Sequence, residues 1–182
     1  MLSTRDARTG LATRAEHGPP PAGLAAFVAW VQERFGVLVA WSDALPDGSG
    51  GAYRAATGGD EAAGVILLRP DVAHPRWVLA HELGHALTGC RAGYFLWADG
   101  RYHSNLAAEK AANACAATLL LDIDAIRDRL YADWTISQVA DEAGVPPAAI
   151  IQRMQLAAVL GEYRPEHIDA CMDRLALGFP PG

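Results

Sequence analysis

Two histidines and a glutamate in the segment His81-Glu82-Leu83-Gly84-His85 have the spacing of a metal-dependent hydrolase. On a helix, residues four positions apart lie one above the other, so His81 and His85 can bind the same metal ion. Glu82 lies one position further round, where it can accept a proton from the attacking water. This combination is typical of zinc enzymes that hydrolyse peptide bonds.

The residues around this motif favour a helix. Apolar residues recur at helical spacing on the face opposite the two imidazoles. The alternative is a solvated helix that carries two surface histidines. We consider it the weaker interpretation, because buried polar and charged groups must be paired or ligated. The apolar residues are Val78, Leu79, Leu83, Ala86 and Leu87.

A hydrolytic zinc site usually has three protein ligands, so one more is needed. The helix predicted from Leu106 to Leu121 is almost entirely small or apolar, and Glu109 and Asn113 are polar exceptions on one stripe. We expect Glu109 to be the third ligand and Asn113 to hold the free ring N–H of one histidine, which would fix its tautomer. The alternative for Glu109 is a helix-start glutamate favoured by the helix dipole.

These residues resemble the ImmA/IrrE family of metallopeptidases. The resemblance rests on residues 76–87 together with the pattern Glu109-x-x-Ala112-Asn113 downstream, and it covers most of residues 24–160. Members of that family are bacterial and phage zinc proteases that cleave helix-turn-helix transcriptional repressors. The chain departs from the family at Cys115, where an aromatic residue is frequent, and at Leu121-Asp122, where Met-Pro is frequent; both departures concern packing.

The resemblance implies a gluzincin-like zinc endopeptidase that is specific for one protein. Its substrate would be a helix-turn-helix repressor of stress, mobile-element or defence genes. Mn²⁺ is an alternative to Zn²⁺, because both ions accept this type of ligand set. The resemblance implies His81, His85 and Glu109 as metal ligands and Glu82 as the base.

The order of predicted elements indicates an α+β fold with a zincin-like metallopeptidase core. We expect a flexible N-terminal tail over residues 1–22, a metallopeptidase domain over 23–121 and an all-helical segment over 122–182. Three short strands before the motif helix predict a small antiparallel sheet beside the active site. A free edge of that sheet could pair with an extended substrate.

Composition narrows the possible partners. The net charge of −6 and the pI near 5.4 disfavour electrostatic binding to nucleic acid or to an anionic membrane. The three cysteines have no paired spacing, as expected in a reducing cytoplasm. The sequence contains no apolar stretch of membrane-spanning length.

The segment between Thr88 and Ser104 is predicted to be a long loop that covers the site. Cys90 could occupy the fourth metal position and hold the enzyme inactive, or it could be an ordinary buried thiol. Tyr94, Tyr102 or His103 could donate a hydrogen bond to the tetrahedral intermediate, although packing is the commoner role for each and none is named as catalytic.

The C-terminal segment contains a helix-turn-helix-like pattern, which begins with a capping box at Thr135–Gln138. This pattern supports a rival hypothesis, a DNA-binding or protein-binding transcriptional regulator with a structural or sensory metal site. Arg153 is the only basic residue between Trp134 and Glu162, whereas a DNA-reading helix needs several phosphate contacts. We therefore expect a helical support or docking segment without specific DNA binding. A degenerate protease that acts only as a binding partner is a third alternative, which the intact motif residues disfavour.

Overall fold

The computed structural model describes residues 4–46, 48–56, 62–89, 96–98, 101–103 and 106–162. These residues form a small mixed sheet, a two-stranded antiparallel pair and seven helices. The class is α+β, as predicted. The elements in chain order are α1 (Thr4–His17), α2 (Leu24–Phe35), β1 (Val37–Trp41), β2 (Gly51–Ala55), β3 (Gly64–Leu68), α3 (Pro75–Leu87), β4 (Leu96–Ala98), β5 (Arg101–His103), α4 (Leu106–Leu120), α5 (Ile123–Tyr131), α6 (Ile136–Ala143) and α7 (Pro147–Leu160).

The prediction of an antiparallel three-stranded sheet was wrong in strand direction. The strand order is β1-β3-β2, in which β2 pairs antiparallel with β3 and β1 pairs parallel with β3. The chain crosses from β1 to the far edge through residues 42–50 and then turns back into β3, so β3 runs in the direction of β1. Apolar alternation identifies a strand but does not determine the direction of its partner.

The core of the sheet region lies between β3 and helices α2, α3 and α4. Ile66 and Leu68 of β3 are fully buried with Phe27 of α2 and Leu79 and Leu83 of α3. Helix α3 therefore turns its apolar face to the sheet, as its residue spacing predicted. This packing leaves the remaining face of α3 for its polar residues.

Within the segment 1–22, for which we expected a flexible tail, residues 4–17 form a packed helix. Helix α1 packs along α4, with Ala7, Gly10 and Thr13 buried in the contact. The Thr118 hydroxyl of α4 donates to the Ala7 carbonyl at 2.9 Å. This helix buries small residues, so its sequence carries little of the apolar periodicity that identifies a packed helix.

The loop predicted between Thr88 and Ser104 contains a short antiparallel pair. Strand β4 pairs with β5 in the register Leu96↔His103, Trp97↔Tyr102 and Ala98↔Arg101. Cys90 and Tyr94 lie outside the described residues, so the roles considered for them stay predictions.

Helices α5, α6 and α7 form the helical segment as far as the structure describes it. The capping box at Thr135–Gln138 is confirmed, since each residue's side chain bonds the other's backbone amide. Gly144 ends α6 in the left-handed conformation, with φ of 65°, and its turn leads into α7. Residues 163–182 of this segment lie outside the described residues. None of the described helices is both long and apolar enough to cross a membrane.

Arg153 of α7 is a structural residue. Its side chain is only 2% exposed, and its guanidinium donates to the Leu121 carbonyl at 3.0 Å and to both carboxylate oxygens of Glu162 at 2.6 and 3.0 Å. It therefore ties α7 to the C-terminal end of α4. A positive charge is favourable there, because the helix dipole places a partial negative charge at that end. The one basic residue in the helix-turn-helix-like region thus points into the protein.

Replacing Arg153 should destabilise the fold strongly. Arg153→Ala leaves the buried Leu121 carbonyl and the Glu162 carboxylate without their donor, and we expect a loss of about 2–4 kcal/mol in the free energy of unfolding. Urea denaturation provides the measurement. Arg127→Ala is the control, because Arg127 pairs with the exposed residues Asp124 and Asp128 on its own helix. That change should cost less than about 1 kcal/mol. Equal losses in the two variants would contradict this role.

Candidate metal centre

Helix α3 brings the two histidines of the motif together. The Nε2 atoms of His81 and His85 lie 3.1 Å apart, and the two rings meet edge to face with centroids 4.7 Å apart. The His85 side chain is almost fully buried, and that of His81 is 15% exposed. Both imidazoles thus direct one nitrogen at the same point.

Glu109 of α4 reaches the same point from a separate helix. One carboxylate oxygen lies 3.1 Å from His81 Nε2, and the other lies 3.5 Å from His85 Nε2. The Glu109 side chain is 32% exposed, so solvent can reach this cluster of His81, His85 and Glu109 from the side of Glu109. The structure therefore brings together the three residues that the sequence analysis named as ligands.

A close contact between the two helices positions Glu109. Gly84 lies against the backbone of α4 at Ala112, and a Cβ atom at Gly84 would be 2.6 Å from the Ala112 carbonyl oxygen. Real Cβ atoms are not found that close to an oxygen, so any larger residue would push α4 away. Glu109 lies one turn before Ala112, which explains why glycine is required inside the motif.

Asn113 orients His81. Its side-chain oxygen lies 2.9 Å from His81 Nδ1, and because an amide oxygen can only accept, the ring must donate its Nδ1 proton. A neutral His81 then has its lone pair on Nε2, directed at His85 and Glu109. This is the contact that the sequence analysis predicted for Asn113.

The group fits a divalent metal ion. The three ligand atoms lie within 4.8 Å of one another, and the His81–His85 and histidine–Glu109 separations are 3.1–3.5 Å. Ligand atoms bound tetrahedrally to zinc at about 2.0–2.1 Å are themselves about 3.3–3.4 Å apart. Two imidazole nitrogens that face each other and a carboxylate also require either a proton or a cation between them. His81, His85 and Glu109 could thus hold Zn²⁺, for which this set of nitrogen and oxygen ligands is typical.

The electrostatics of the three groups are mutually dependent. Burial alone would lower the pKa of His81, but its hydrogen bond to Glu109 and the charges of Glu82 and Glu109 raise it above its usual value. Burial, together with the charge on His81, lowers the pKa of His85 to about 4. The hydrogen bond from His81 lowers the pKa of Glu109. These shifts favour a proton held between His81 and Glu109 over one held by His85.

Glu82 lies beside the ligand group in a buried position under the sheet. Burial raises the pKa of its carboxyl to about 7, and the charge of His81 and a hydrogen bond from the Tyr53 backbone amide act in the opposite direction. Gly51 of β2 leaves the space that Glu82 fills, because a Cβ atom there would lie 3.0 Å from Glu82 Cγ. A carboxylate with a pKa near neutrality is suited to take and return a proton.

Sequence reasoning missed the contribution of β2 to the site. The Tyr53 contact is made by a backbone amide, which carries no signal in the residue type. Gly51 offered a weak signal, since an isolated glycine in a strand indicates close approach by another group. For Tyr102 and His103 the structure gives the backbone pairing alone, so their catalytic roles remain predictions.

Comparison with known proteins identifies the family. The chain belongs to the peptidase M78 family, described as the IrrE N-terminal-like domain, whose pattern matches residues 32–155. This confirms the resemblance to the ImmA/IrrE family. The matched region contains all the residues of the metal centre, whereas helix α1 precedes it.

A solved structure of a transcriptional regulator from Mycobacterium tuberculosis has a similar fold. The TM-score is 0.58 at 15% sequence identity, and the match covers 91% of this chain and 50% of that one. The chain thus spans half the length of that regulator. No curated protein matches the sequence.

Loss of the Asn113 contact should weaken metal binding. Asn113→Ala frees the His81 ring to rotate and to change tautomer, and we expect zinc affinity to fall about 10–100-fold. Competition with a chromophoric chelator measures the affinity. Lys110→Ala, on the exposed side of the same helix, is the control and should bind zinc like the wild type. Unchanged affinity in Asn113→Ala would refute the orienting role.

Zinc binding should release a proton and strengthen as the pH rises. The raised pKa of His81 means that the metal-free protein keeps a proton that zinc must displace. Apparent affinity should therefore rise up to about tenfold per pH unit below that pKa and level off above it. Chelator competition between about pH 5.5 and 8 tests the trend, given that histidine titrates in this interval. Calorimetry in buffers of different ionisation enthalpy counts the protons, and zinc uptake without proton release near pH 6 would contradict this account.

Proposed function

We propose that the chain is a zinc-dependent endopeptidase that cleaves one specific protein, a helix-turn-helix transcriptional repressor. The observation that carries the proposal is the convergence of His81, His85 and Glu109 on one point beside the buried Glu82. Membership of a peptidase family supports the reaction class. We further propose that cleavage derepresses stress, mobile-element or defence genes and takes place in the cytoplasm.

The metal ion would be held by His81, His85 and Glu109. Zinc in such a site polarises the scissile carbonyl and lowers the pKa of water to about 7. Mn²⁺ remains the alternative ion. The exposed side of Glu109 leaves an approach to this point from solvent.

Glu82 would act as the general base. Its carboxylate accepts a proton from the attacking water and later delivers it to the amine of the leaving peptide. The Tyr53 backbone amide holds the carboxylate in place, and burial keeps its pKa high enough for the second transfer.

Strand β2 offers backbone groups to an extended substrate. Ala56 N–H donates to Ala63 and Arg69 N–H donates to Gly50, so the even-numbered positions of this strand bond toward β3. Gly51, Tyr53 and Ala55 therefore direct their N–H and C=O groups to the other side, where the described residues place no paired strand. Two of these groups are already bonded, since the Tyr53 N–H donates to Glu82 and the Gly51 C=O accepts from the Ser49 hydroxyl at 2.7 Å. The Tyr53 amide that meets Glu82 lies on this open edge, so a peptide paired there would run past the metal centre.

The burial of Arg153 argues against the rival hypothesis of a DNA-binding regulator. A reading helix needs basic side chains on its exposed face, and the single arginine of the helix-turn-helix-like region is buried and paired with Glu162. We propose instead that α6 and α7 support the catalytic helices.

The proposal is tested at Glu82. Glu82→Gln keeps the shape of the side chain but removes the base, so cleavage of a candidate repressor should fall at least about 100-fold while zinc remains bound. The measurements are cleavage by gel and mass spectrometry and zinc content by atomic absorption. Glu33→Gln, an exposed residue of α2, is the matched control and should cleave normally. Equal cleavage by wild type and Glu82→Gln would refute the mechanism.

A further inference from the structure

Arg54 lies on the open edge strand one residue beyond the Tyr53 amide that meets Glu82. The residue is exposed, and among the ion pairs of the described residues it has no partner. Because successive side chains of a strand alternate between faces, the positions of Gly51 and Arg54 face opposite sides of the sheet. Gly51 faces α3 and Glu82, so Arg54 stands on the outer face.

The sheet provides no carboxylate across from Arg54. Its register partner on β3 is Val65, which is half-buried, and the partner of Val65 on β1 is Leu38, which is 50% exposed. Across the outer face, the three register partners are therefore the cation Arg54 and the aliphatic side chains Val65 and Leu38. The cation stands at the end of the row that borders the open edge.

The hydrogen-bond pattern of β2 places a substrate side chain beside Arg54. The N–H and C=O of Arg54 are directed at β3, so on the open edge Arg54 occupies a non-hydrogen-bonded position between Tyr53 and Ala55. In an antiparallel pair, directly opposed residues at such positions have Cα atoms only about 4.5 Å apart. Their side chains project to the same face, whichever direction the added strand runs.

We propose that Arg54 is a specificity-determining residue that selects an aspartate or glutamate in the substrate. The acidic side chain would lie on the outer face of the sheet, opposite Arg54, while its neighbours in the bound strand turn toward the metal centre. This inference rests on the proposed peptidase function and on substrate pairing along β2. A carboxylate beside a guanidinium that has no ion-pair partner in the described part of the chain is favourable, and a lysine or arginine at that position is repelled.

A cleavage profile tests the assignment. The zinc-loaded protein is incubated with a peptide library derived from helix-turn-helix repressor sequences, and cleavage sites are read by mass spectrometry. Wild type should favour Asp or Glu at one fixed distance from the cut, by about fivefold over Gln. Arg54→Glu should reverse this preference toward Lys or Arg, and the selectivity should weaken in about 1 M salt, since exposed charges are screened.

Arg34→Glu is the matched control, because it makes the same change in net charge at an exposed position of α2. Its cleavage profile should equal that of wild type. Thermal unfolding of each variant shows that the comparison is made between folded proteins.

Peptide binding gives a second readout that does not need turnover. Zinc-loaded Glu82→Gln should bind a fluorescent peptide with Glu at the selected position about fivefold more tightly than its Lys analogue, and adding Arg54→Glu should reverse that order. Cleavage that depends on Glu82 but shows no acidic preference, or the same preference in Arg54→Glu, would overturn the role of Arg54 alone. Absence of any Glu82-dependent cleavage would overturn the peptidase proposal and this inference with it.

Discussion

The contact between Gly84 of α3 and the backbone of α4 at Ala112 sets the distance on which the metal centre depends. Two imidazoles on one helix can define at most one side of a metal site. The carboxylate that completes it has to come from a second element at a separation fixed to a few tenths of an ångström. Because Gly84 has no side chain, α4 approaches closely enough for Glu109 to reach both histidines and for Asn113 to reach the far nitrogen of His81. Arg153, bound to the carbonyl of Leu121, holds the other end of α4 in place.

The same arrangement explains why the polar groups of the site tolerate burial. Glu82 and His85 are both buried, which is costly for ionisable side chains unless each has a partner. His85 meets this cost by staying neutral, as its lowered pKa indicates, and Glu82 by its raised pKa together with the Tyr53 amide. The His81–Glu109 pair lies on the more exposed side, and the raised pKa of His81 favours a proton there that a divalent cation can replace. The charge distribution of the metal-free protein thus suits the entry of a metal ion from the Glu109 side.

Much of this centre was predictable because its chemistry depends on residue types. Few other interpretations fit two histidines four residues apart with a glutamate next to the first. The Glu/Asn pair, also four residues apart on an apolar helix, narrows the interpretation further. The helices and strands of residues 24–87 and helix α4 were likewise predictable from periodicity, whereas the short pair of β4 and β5 lies in a segment predicted to be a loop. Sheet direction was not, because the crossover through residues 42–50 has no residue signature. Helix α1 was missed because Ala7 and Gly10 pack through their small size and add little to an apolar pattern.

Strand β2 links the two halves of the proposed reaction. Alternate residues of β2 direct their backbone N–H and C=O groups toward β3, and the residues between them direct theirs toward the open edge. The edge groups include the Tyr53 amide, which bonds Glu82. A peptide bonded to that edge would therefore lie in register with the base through one rigid strand. The alternate side chains of β2 serve different purposes on its two faces. On the inner face the lack of a side chain at Gly51 makes room for Glu82, and on the outer face the charge of Arg54 is available to a bound chain. Catalytic geometry and sequence selection would in this way depend on the same five residues, so a shift in the strand would disturb both together.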